Sequence, residues 1–200
     1  MKATKLLKQQ HDEISDLFDK IERAQRDRKV ELFEQLAAHL VGHDAIEREI
    51  FYPACEEQLG KVDLLGESLV EHGIIEFSLF RADQNVGTDA FDHYMYVVRE
   101  MVDHHVAKEE EDFFPDVEGT FSSDRLEELG AEMEQRFEES IASDFRPMLL
   151  SSLREAMGGA LEAAPVVELE IIEEKAPKPA KTRAPTKRAA SAKARARTHH

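Results

Sequence analysis

The chain has 200 residues, 42% of them hydrophobic, which is enough for one domain with a substantial core and an appendage. Its longest apolar runs are far too short to span a bilayer, and its N-terminus leads into an amphipathic pattern instead of a signal-peptide core. A single cysteine, Cys55, excludes an intramolecular disulfide framework and favours a cytoplasmic protein.

The net charge of −16 is unevenly distributed along the chain. Residues 175–200 hold nine of the 26 basic residues and no acidic ones, so residues 1–174 carry 17 basic against 42 acidic residues, a net charge of −25. An acidic body attracts cations and repels nucleic acid, whereas the tail is able to do the opposite.

Four long amphipathic helices are predicted in the first part of the chain, because apolar residues recur there at three-to-four spacing. Their bounds are residues 2–26, 30–52, 61–84 and 90–114. Asp27-Arg28 makes the first turn, Pro53 interrupts the second helix, and Thr88 or Asp89 caps the fourth. The third helix follows Gly60 and has Leu65, Leu69, His72, Glu76 and Leu79 on a common side. Similar lengths and short connections favour an all-α, up-down-up-down four-helix bundle.

Two additional helices are predicted after the bundle. Ser122-Ser123-Asp124 caps a helix over about residues 124–141, and another runs from Asp144 to Met157. Both are expected to pack on the outside of the bundle.

The C-terminal part loses the helical pattern from Ala163. Val166–Ile172 has the composition of a short extended piece, and the Ala/Pro/Lys/Arg-rich stretch from Lys175 buries too little surface to fold. We therefore predict a bundle at residues 1–118, additional helices at 119–160, and a linker with a disordered basic tail at 161–200.

One motif occurs twice in the predicted bundle. The first copy is His43-x-x-x-Glu47 followed by Tyr52-Pro53, and the second is His105-x-x-x-Glu109 followed by Phe114-Pro115. Residues four apart lie on one face of a helix, so each copy directs an imidazole and a carboxylate the same way. This is the arrangement with which a helix holds a metal ion.

Two further histidines extend the repeat. His11 precedes His43 by 32 residues, and His72 precedes His105 by 33, so the bundle is a doubled helical hairpin. Packing the hairpins with pseudo-twofold symmetry would bring six metal ligands together. These are His11, His43, Glu47, His72, His105 and Glu109.

The ligand types indicate which metal fits. Mixed imidazole and carboxylate ligands suit iron, manganese or zinc, whereas calcium prefers oxygen and structural zinc prefers thiolates. Six ligands for two ions leave open positions, which favours a reactive, carboxylate-bridged di-iron centre with ions roughly 3.5–4 Å apart. Ferritin-like proteins use Glu-x-x-His instead, the reverse order, so that alternative is disfavoured.

The spacing of these six residues resembles the hemerythrin-like, or HHE cation-binding, domain, over about residues 3–116. The resemblance implies a four-helix bundle with two iron ions, bridged by Glu47 and Glu109, that bind or react with oxygen, and in some members with peroxide or nitric oxide. Glu76 stands where oxygen carriers have a further histidine. Glu76 is either a ligand itself or a hydrogen-bond acceptor for a ligating histidine, or else the metal has an open coordination position here. In each case, reversible oxygen binding is less favoured than in the oxygen carriers.

Several residues near the motif have other expected roles. Asp44 is a weaker candidate ligand, His39 a polar core or supporting residue, and His104 an interface or solvent-exposed residue. Cys55 is expected to be a small core residue, and Tyr52 with Phe114 to close the ends of the bundle core.

We therefore predict a protein that binds or senses a small oxidant, namely oxygen, nitric oxide or peroxide, and expect binding or sensing more than enzymatic turnover. The alternatives are a di-iron enzyme that removes peroxide and an iron-handling protein that contacts DNA. The basic tail is able to bind phosphates non-specifically. It could equally solubilise the protein or fold back onto the acidic body. No membrane partner is expected.

Overall fold

The computed structural model describes residues 1–60 and 63–156, and the fold over these residues is all-α. The predictions for Val166–Ile172 and for the tail from Lys175 lie outside the described residues. In chain order the described α-helices are α1 (Ala3–Arg23), α2 (Arg26–Ile46), α3 (Tyr52–Leu59), α4 (Asp63–Asp83), α5 (Asp89–Lys108), α6 (Phe114–Thr120), α7 (Ser123–Ile141) and α8 (Phe145–Ala156). None of these helices is long and apolar enough to cross a membrane.

The helices form two hairpins, with α1 packed against α2 and α4 packed against α5. Ion pairs join the hairpins at the surface: Arg99 of α5 pairs with Asp19 of α1, and Lys29 of α2 pairs with Asp92 of α5. The predicted all-α fold, a helical bundle with extra C-terminal helices, is confirmed.

Each hairpin contains a π-helical turn that the sequence analysis did not predict. The turns span Glu47–Phe51 and Glu109–Phe113, and in each the N–H of the next residue, Tyr52 or Phe114, bonds to the glutamate carbonyl. A proline then follows. In a regular α-helix a proline has no N–H to donate, and its ring would collide with the carbonyl group four residues earlier. The wider π turn lets the chain continue as a helix past the proline.

The two helix ends predicted at the aromatic residues are therefore wrong, because α3 and α6 continue for 8 and 7 residues. Gly60 ends α3 with φ of +79°, a conformation that side chains with a Cβ rarely adopt. The first turn lies at Ala24 and Gln25 instead of Asp27-Arg28. Thr88 and Ser122 are N-caps of α5 and α7, as predicted.

The core has two apolar layers. One includes Phe33, Leu36, Leu79, Val98 and Leu149. The other includes Leu7, Ile46, Phe51, Phe114 and Leu129. On each of α1, α2, α4 and α5, a histidine lies in the sequence between the residues of the two layers. The fold therefore places a polar layer between two apolar ones.

The two C-terminal helices cover the bundle. α7 packs on α1 and α2, and α8 packs on α4 and α2. The start of the chain crosses α7 so closely that a Cβ at Gly130 would lie 2.0 Å from the carbonyl oxygen of Met1. Only glycine permits this approach.

One face of α4 remains exposed. Leu69 was predicted to lie on the inward side with Leu65, but its side chain is 44% exposed. Three further apolar residues of α4 are also exposed: Val70 (64%), Ile74 (43%) and Phe77 (50%). The prediction for Leu69 is wrong because α2, α5 and α8 together cover α4 on its other sides only.

Candidate metal centre

Six ionisable side chains form the polar layer between the two apolar layers. They are His11 on α1, His43 on α2, His72 on α4, His105 on α5, and Glu47 and Glu109 at the starts of the π-helical turns. Each is at most 6% exposed. Burying so many ionisable groups costs free energy unless they are paired or hold a metal ion.

The six side chains fall into two groups that share one carboxylate. The ligand atoms of His11, His43, Glu47 and Glu109 all lie within 4.8 Å of one another, and so do those of Glu47, His72 and His105. The structure thus brings together all six residues predicted as ligands.

Both carboxylates lie between histidines of different hairpins. Glu47 has one oxygen 3.2 Å from His43 Nε2 and the other 3.3 Å from His72 Nε2. Glu109 has its Oε2 3.4 Å from His11 Nε2 and 3.6 Å from His105 Nε2. Each glutamate is therefore placed to bridge two positions.

The outer nitrogen of each imidazole faces an oxygen acceptor. The Nδ1 contacts are His11 with Glu110 (2.8 Å), His43 with Gln10 (2.8 Å), His105 with Glu71 (3.1 Å), and His72 with Asp44. A carboxylate only accepts hydrogen bonds, so the Nδ1 atoms of His11 and His105 carry the proton, whereas the close contact of His72 Nδ1 with Asp44 does not have hydrogen-bond geometry. A neutral ring in this tautomer presents a bare lone pair at Nε2.

The Nε2 atoms of the four histidines face one another in pairs across the layer. His11 Nε2 lies 3.2 Å from His43 Nε2, and His72 Nε2 lies 3.0 Å from His105 Nε2. Among the described residues, neither oxygen of Glu47 accepts a hydrogen bond. Lone pairs and carboxylates directed at one point repel each other, and cations remove that repulsion. The donor set therefore fits bound metal, with outer partners that fix the tautomer as in other histidine metal sites.

The pKa shifts in this layer agree with ligation by neutral imidazoles. Burial lowers the pKa of His43 well below its usual 6.5, and the nearby His11 adds to the shift. Burial also lowers the pKa of His105. Burial and the adjacent Glu109 raise the pKa of Glu47 well above its usual range, so two ionised carboxylates need a cation between them.

Two aromatic rings close the polar layer on one side. Tyr52 stacks on His72 with ring centroids 5.7 Å apart, and Phe114 stacks on His11 at 5.9 Å. Both are buried in the apolar layer next to the site, as expected from the sequence. The two residues differ in that Tyr52 has a hydroxyl group, which donates a hydrogen bond to Glu109 Oε1 at 2.9 Å.

Glu76 faces Arg48 and belongs to neither ligand group. Its Oε2 lies 3.3 Å from Arg48 Nη2, and Arg48 Nε donates to Asp44 Oδ1 at 2.7 Å. Burial and the charge of Asp44 raise the pKa of Glu76 to about 8. Although burial alone would raise the pKa of Asp44, His72 and Arg48 hold it well below its usual range.

A cavity of about 30 Å³ adjoins the ligand nitrogens. It is lined by all four histidines, by Asp44 and Glu76, and by the apolar residues Ile14, Leu40, Val41, Ile75, Leu79, Val102 and Val106. This volume has room for a small molecule such as water or dioxygen.

The remaining candidates from the sequence lie outside the ligand groups. His104 is largely exposed and lies 3.4 Å from Glu71, and His39 bonds to the carbonyl of Gln35 and contacts the ring of Phe137. Cys55 is a fully buried core residue, as predicted.

Sequence reasoning missed most residues that orient the ligands. Gln10 and Glu71 each precede a histidine ligand, and Glu110 follows Glu109. Neighbours in sequence point about 100° apart on a helix, so each reaches a histidine of another helix. Adjacency of a polar residue to a predicted ligand was the signal that could have found them.

The comparisons with known proteins agree with this geometry. The sequence profile of the hemerythrin HHE cation-binding domain matches residues 2–117. Among solved structures, the chain is similar to a hemerythrin HHE cation-binding domain-containing protein from Mycobacterium kansasii, a homologue of Rv2633c. The two share 25% identity with a TM-score of 0.66, covering 76% of this chain and 99% of that one. No match was found among curated proteins.

Proposed function

The chain belongs to the hemerythrin HHE cation-binding domain family, and on that premise we propose that it is a cytoplasmic non-haem di-iron protein that binds or senses a small oxidant. The oxidant is oxygen, nitric oxide or peroxide. The observation that carries the proposal is the pair of ligand groups that share Glu47 beside a cavity of about 30 Å³.

The donor set favours iron. Four imidazole nitrogens and carboxylate oxygens, with no thiolate in either ligand group, suit iron better than calcium or a structural zinc ion. His11 and His43 would hold one ion, His72 and His105 the other, and Glu47 and Glu109 would lie between them. Bound iron supplies one-electron chemistry and open coordination positions for a small ligand.

The residues around the ions have supporting roles. Glu71 and Glu110 hold the tautomers of His105 and His11, whose Nε2 atoms are then available without rearrangement. Asp44 and Gln10 contact the Nδ1 atoms of the other two histidines. The apolar cavity wall excludes bulk water and large ligands. The paired aromatic rings fix His11 and His72 from the other side.

Metal analysis of protein purified without chelator tests the proposal, which expects two iron ions per chain. His105→Ala removes one ligand and is expected to lower the iron content and the melting temperature, because metal bound to the native state stabilises it. His104→Ala is the matched control, since this neighbouring histidine is largely exposed and should leave both unchanged.

Zinc alone, no metal, or equal iron content in the two variants would contradict a di-iron centre. Optical spectra of the iron-loaded protein with oxygen, nitric oxide and peroxide then identify the ligand. Spectral change without turnover indicates a sensor.

A second candidate function is peroxide removal by the same centre. The buried hydroxyl of Tyr52, bonded to Glu109, favours it because this hydroxyl places a hydrogen-bond donor beside the ligands, and burial raises its pKa so that it keeps its proton. Steady consumption of peroxide by the iron-loaded protein, reduced at least tenfold in Tyr52→Phe, would support the enzyme. Consumption no faster than that of free iron would exclude it.

We also propose, as an alternative role for residues 175–200, non-specific contact with DNA. Their nine basic residues predict binding that weakens steeply with salt. The test compares the whole chain with one that ends at Glu174 in a DNA-binding titration at low salt. Equal binding, or none by either, would exclude the role.

A further inference from the structure

Two cavities meet near the metal centre. The inner one is the cavity of about 30 Å³ beside the ligand nitrogens, and the outer one is a groove of about 990 Å³ between α2, α4 and α8. Both are lined in part by Val41 and Asp44, so the same stretch of wall separates them.

A pair of opposite charges stands in that wall. Arg48 lines the groove and Glu76 lines the inner cavity, and their side chains meet at 3.3 Å. Asp44 lines both sides and accepts a hydrogen bond from Arg48. The other residues that line the inner cavity, apart from the four histidines, are all apolar.

The wall also contains buried polar atoms. Within the described part of the chain, Arg48 Nη2 and Glu76 Oε2 are buried and face each other as an ion pair at 3.3 Å without a further hydrogen bond, and Ser152 is a side-chain partner of Glu76. Glu76 is only 4% exposed, and Ser152 lies on the groove side, on α8. Buried polar atoms of this kind accommodate water or a small hydrogen-bonding molecule far better than an apolar wall does.

We infer that small molecules reach the metal centre from this groove, through the wall formed by Arg48, Asp44 and Glu76. The inference rests on the proposed function for what is bound inside. The route itself depends only on the two cavities and the polar wall between them.

Charge restricts what the route admits. Asp44, Glu49 and Glu155 line the groove against the cation of Arg48, and residues 1–174 carry a net charge of −25. Anions are therefore repelled and uncharged molecules are favoured. Oxygen, nitric oxide and hydrogen peroxide satisfy both the charge and the size of the inner cavity.

Nitric oxide binding to the ferrous protein tests the route by stopped-flow spectroscopy. Ser152→Trp narrows the groove side of the wall, and we expect association and dissociation each to slow at least tenfold while the dissociation constant stays unchanged. An obstacle in a passage has this signature because it alters neither the free nor the bound state. Ser143→Trp, at an exposed position between α7 and α8, is the matched control and should keep the parent rates.

Gly73→Leu provides a second variant in case Ser152→Trp does not fold. A Cβ at Gly73 would lie 3.4 Å from the Cβ of Ala156, an ordinary contact, and the added side chain narrows the same groove. Parent rates in both variants would overturn the route. A changed dissociation constant with an unchanged association rate would overturn it as well.

Nitric oxide binding to the cobalt(II)-loaded protein repeats the comparison without iron. Slower association and dissociation in the two groove variants support the route, and parent-like rates overturn it. If the protein as purified held no iron but the variants slowed nitric oxide binding to the cobalt(II) form, the proposed function would fail and the route would stand.

Discussion

The two hairpins of the bundle supply matching ligands but support them differently. Each contributes a histidine, then a second histidine with a glutamate one turn later, and then a π-helical turn. Gln10 and Glu71, at corresponding positions, contact the Nδ1 of the second histidine in their own hairpin. This part of the site is symmetric.

The support for the other two histidines is not symmetric. Asp44, next to His43, contacts His72, whereas the corresponding residue of the second hairpin is Val106, which cannot accept a hydrogen bond. Glu110 performs that role for His11. The same chemical requirement is met from two different sequence positions, so the repeat conserves ligand geometry more strictly than the residues behind it.

Replacing the shared carboxylate should have the largest effect. Glu47 belongs to both ligand groups and Glu109 to one, so Glu47→Ala should abolish binding of both ions while Glu109→Ala retains at least one. Metal content per chain after purification measures this difference. Equal losses in the two variants would show that the glutamates are equivalent.

The next largest effect on metal binding is expected from neutralising the carboxylates that contact the Nδ1 atoms of the ligand histidines. Asp44→Asn and Glu110→Gln weaken the acceptors for His72 and His11, and such changes typically cost about 10–100-fold in metal affinity. The larger loss is expected for Asp44, whose side chain is 14% exposed against 33% for Glu110. Competition with a chelator gives both affinities, and a greater loss in Glu110→Gln would contradict this order.

Replacing either Tyr52 or Phe114 by the residue type of the other makes the aromatic positions of the two hairpins alike. Tyr52→Phe leaves Glu109 Oε1 without its donor and should cost about 1–3 kcal/mol of unfolding free energy in the metal-free protein. Phe114→Tyr introduces a hydroxyl on the other side of the layer and is the reciprocal variant. Denaturant titration measures both. No loss in Tyr52→Phe would mean that water replaces the hydroxyl.

The smallest effect is expected for the pH dependence of the unfolding free energy of the metal-free protein. The pKa of His43 and of His105 is lowered in the folded state from the usual 6.5, so the unfolded chain binds more protons below that value. The contribution of these two histidines to stability should therefore be complete above pH 6.5 and should fall as the pH drops towards their folded-state pKa values. His43→Gln should flatten this decline, whereas the exposed His104→Gln should not.

The sequence was informative where periodicity and spacing are local. Four amphipathic stretches predict the bundle, and histidines 32 and 33 residues apart predict two equivalent hairpins. It was misleading at the ends of α2 and α5. A proline normally ends a helix, and only the π-helical turns before Pro53 and Pro115 show how the helix continues past it.

The sequence by itself determined the four main helices, the repeat and the identity of six ligand candidates, because these follow from the spacing of residue types along the chain. The tertiary structure decided which residues stand behind those ligands, that Tyr52 reaches Glu109, and that Glu76 pairs with Arg48 and lies outside both ligand groups. Those contacts depend on how helices far apart in sequence rotate against each other. No local pattern encodes that rotation.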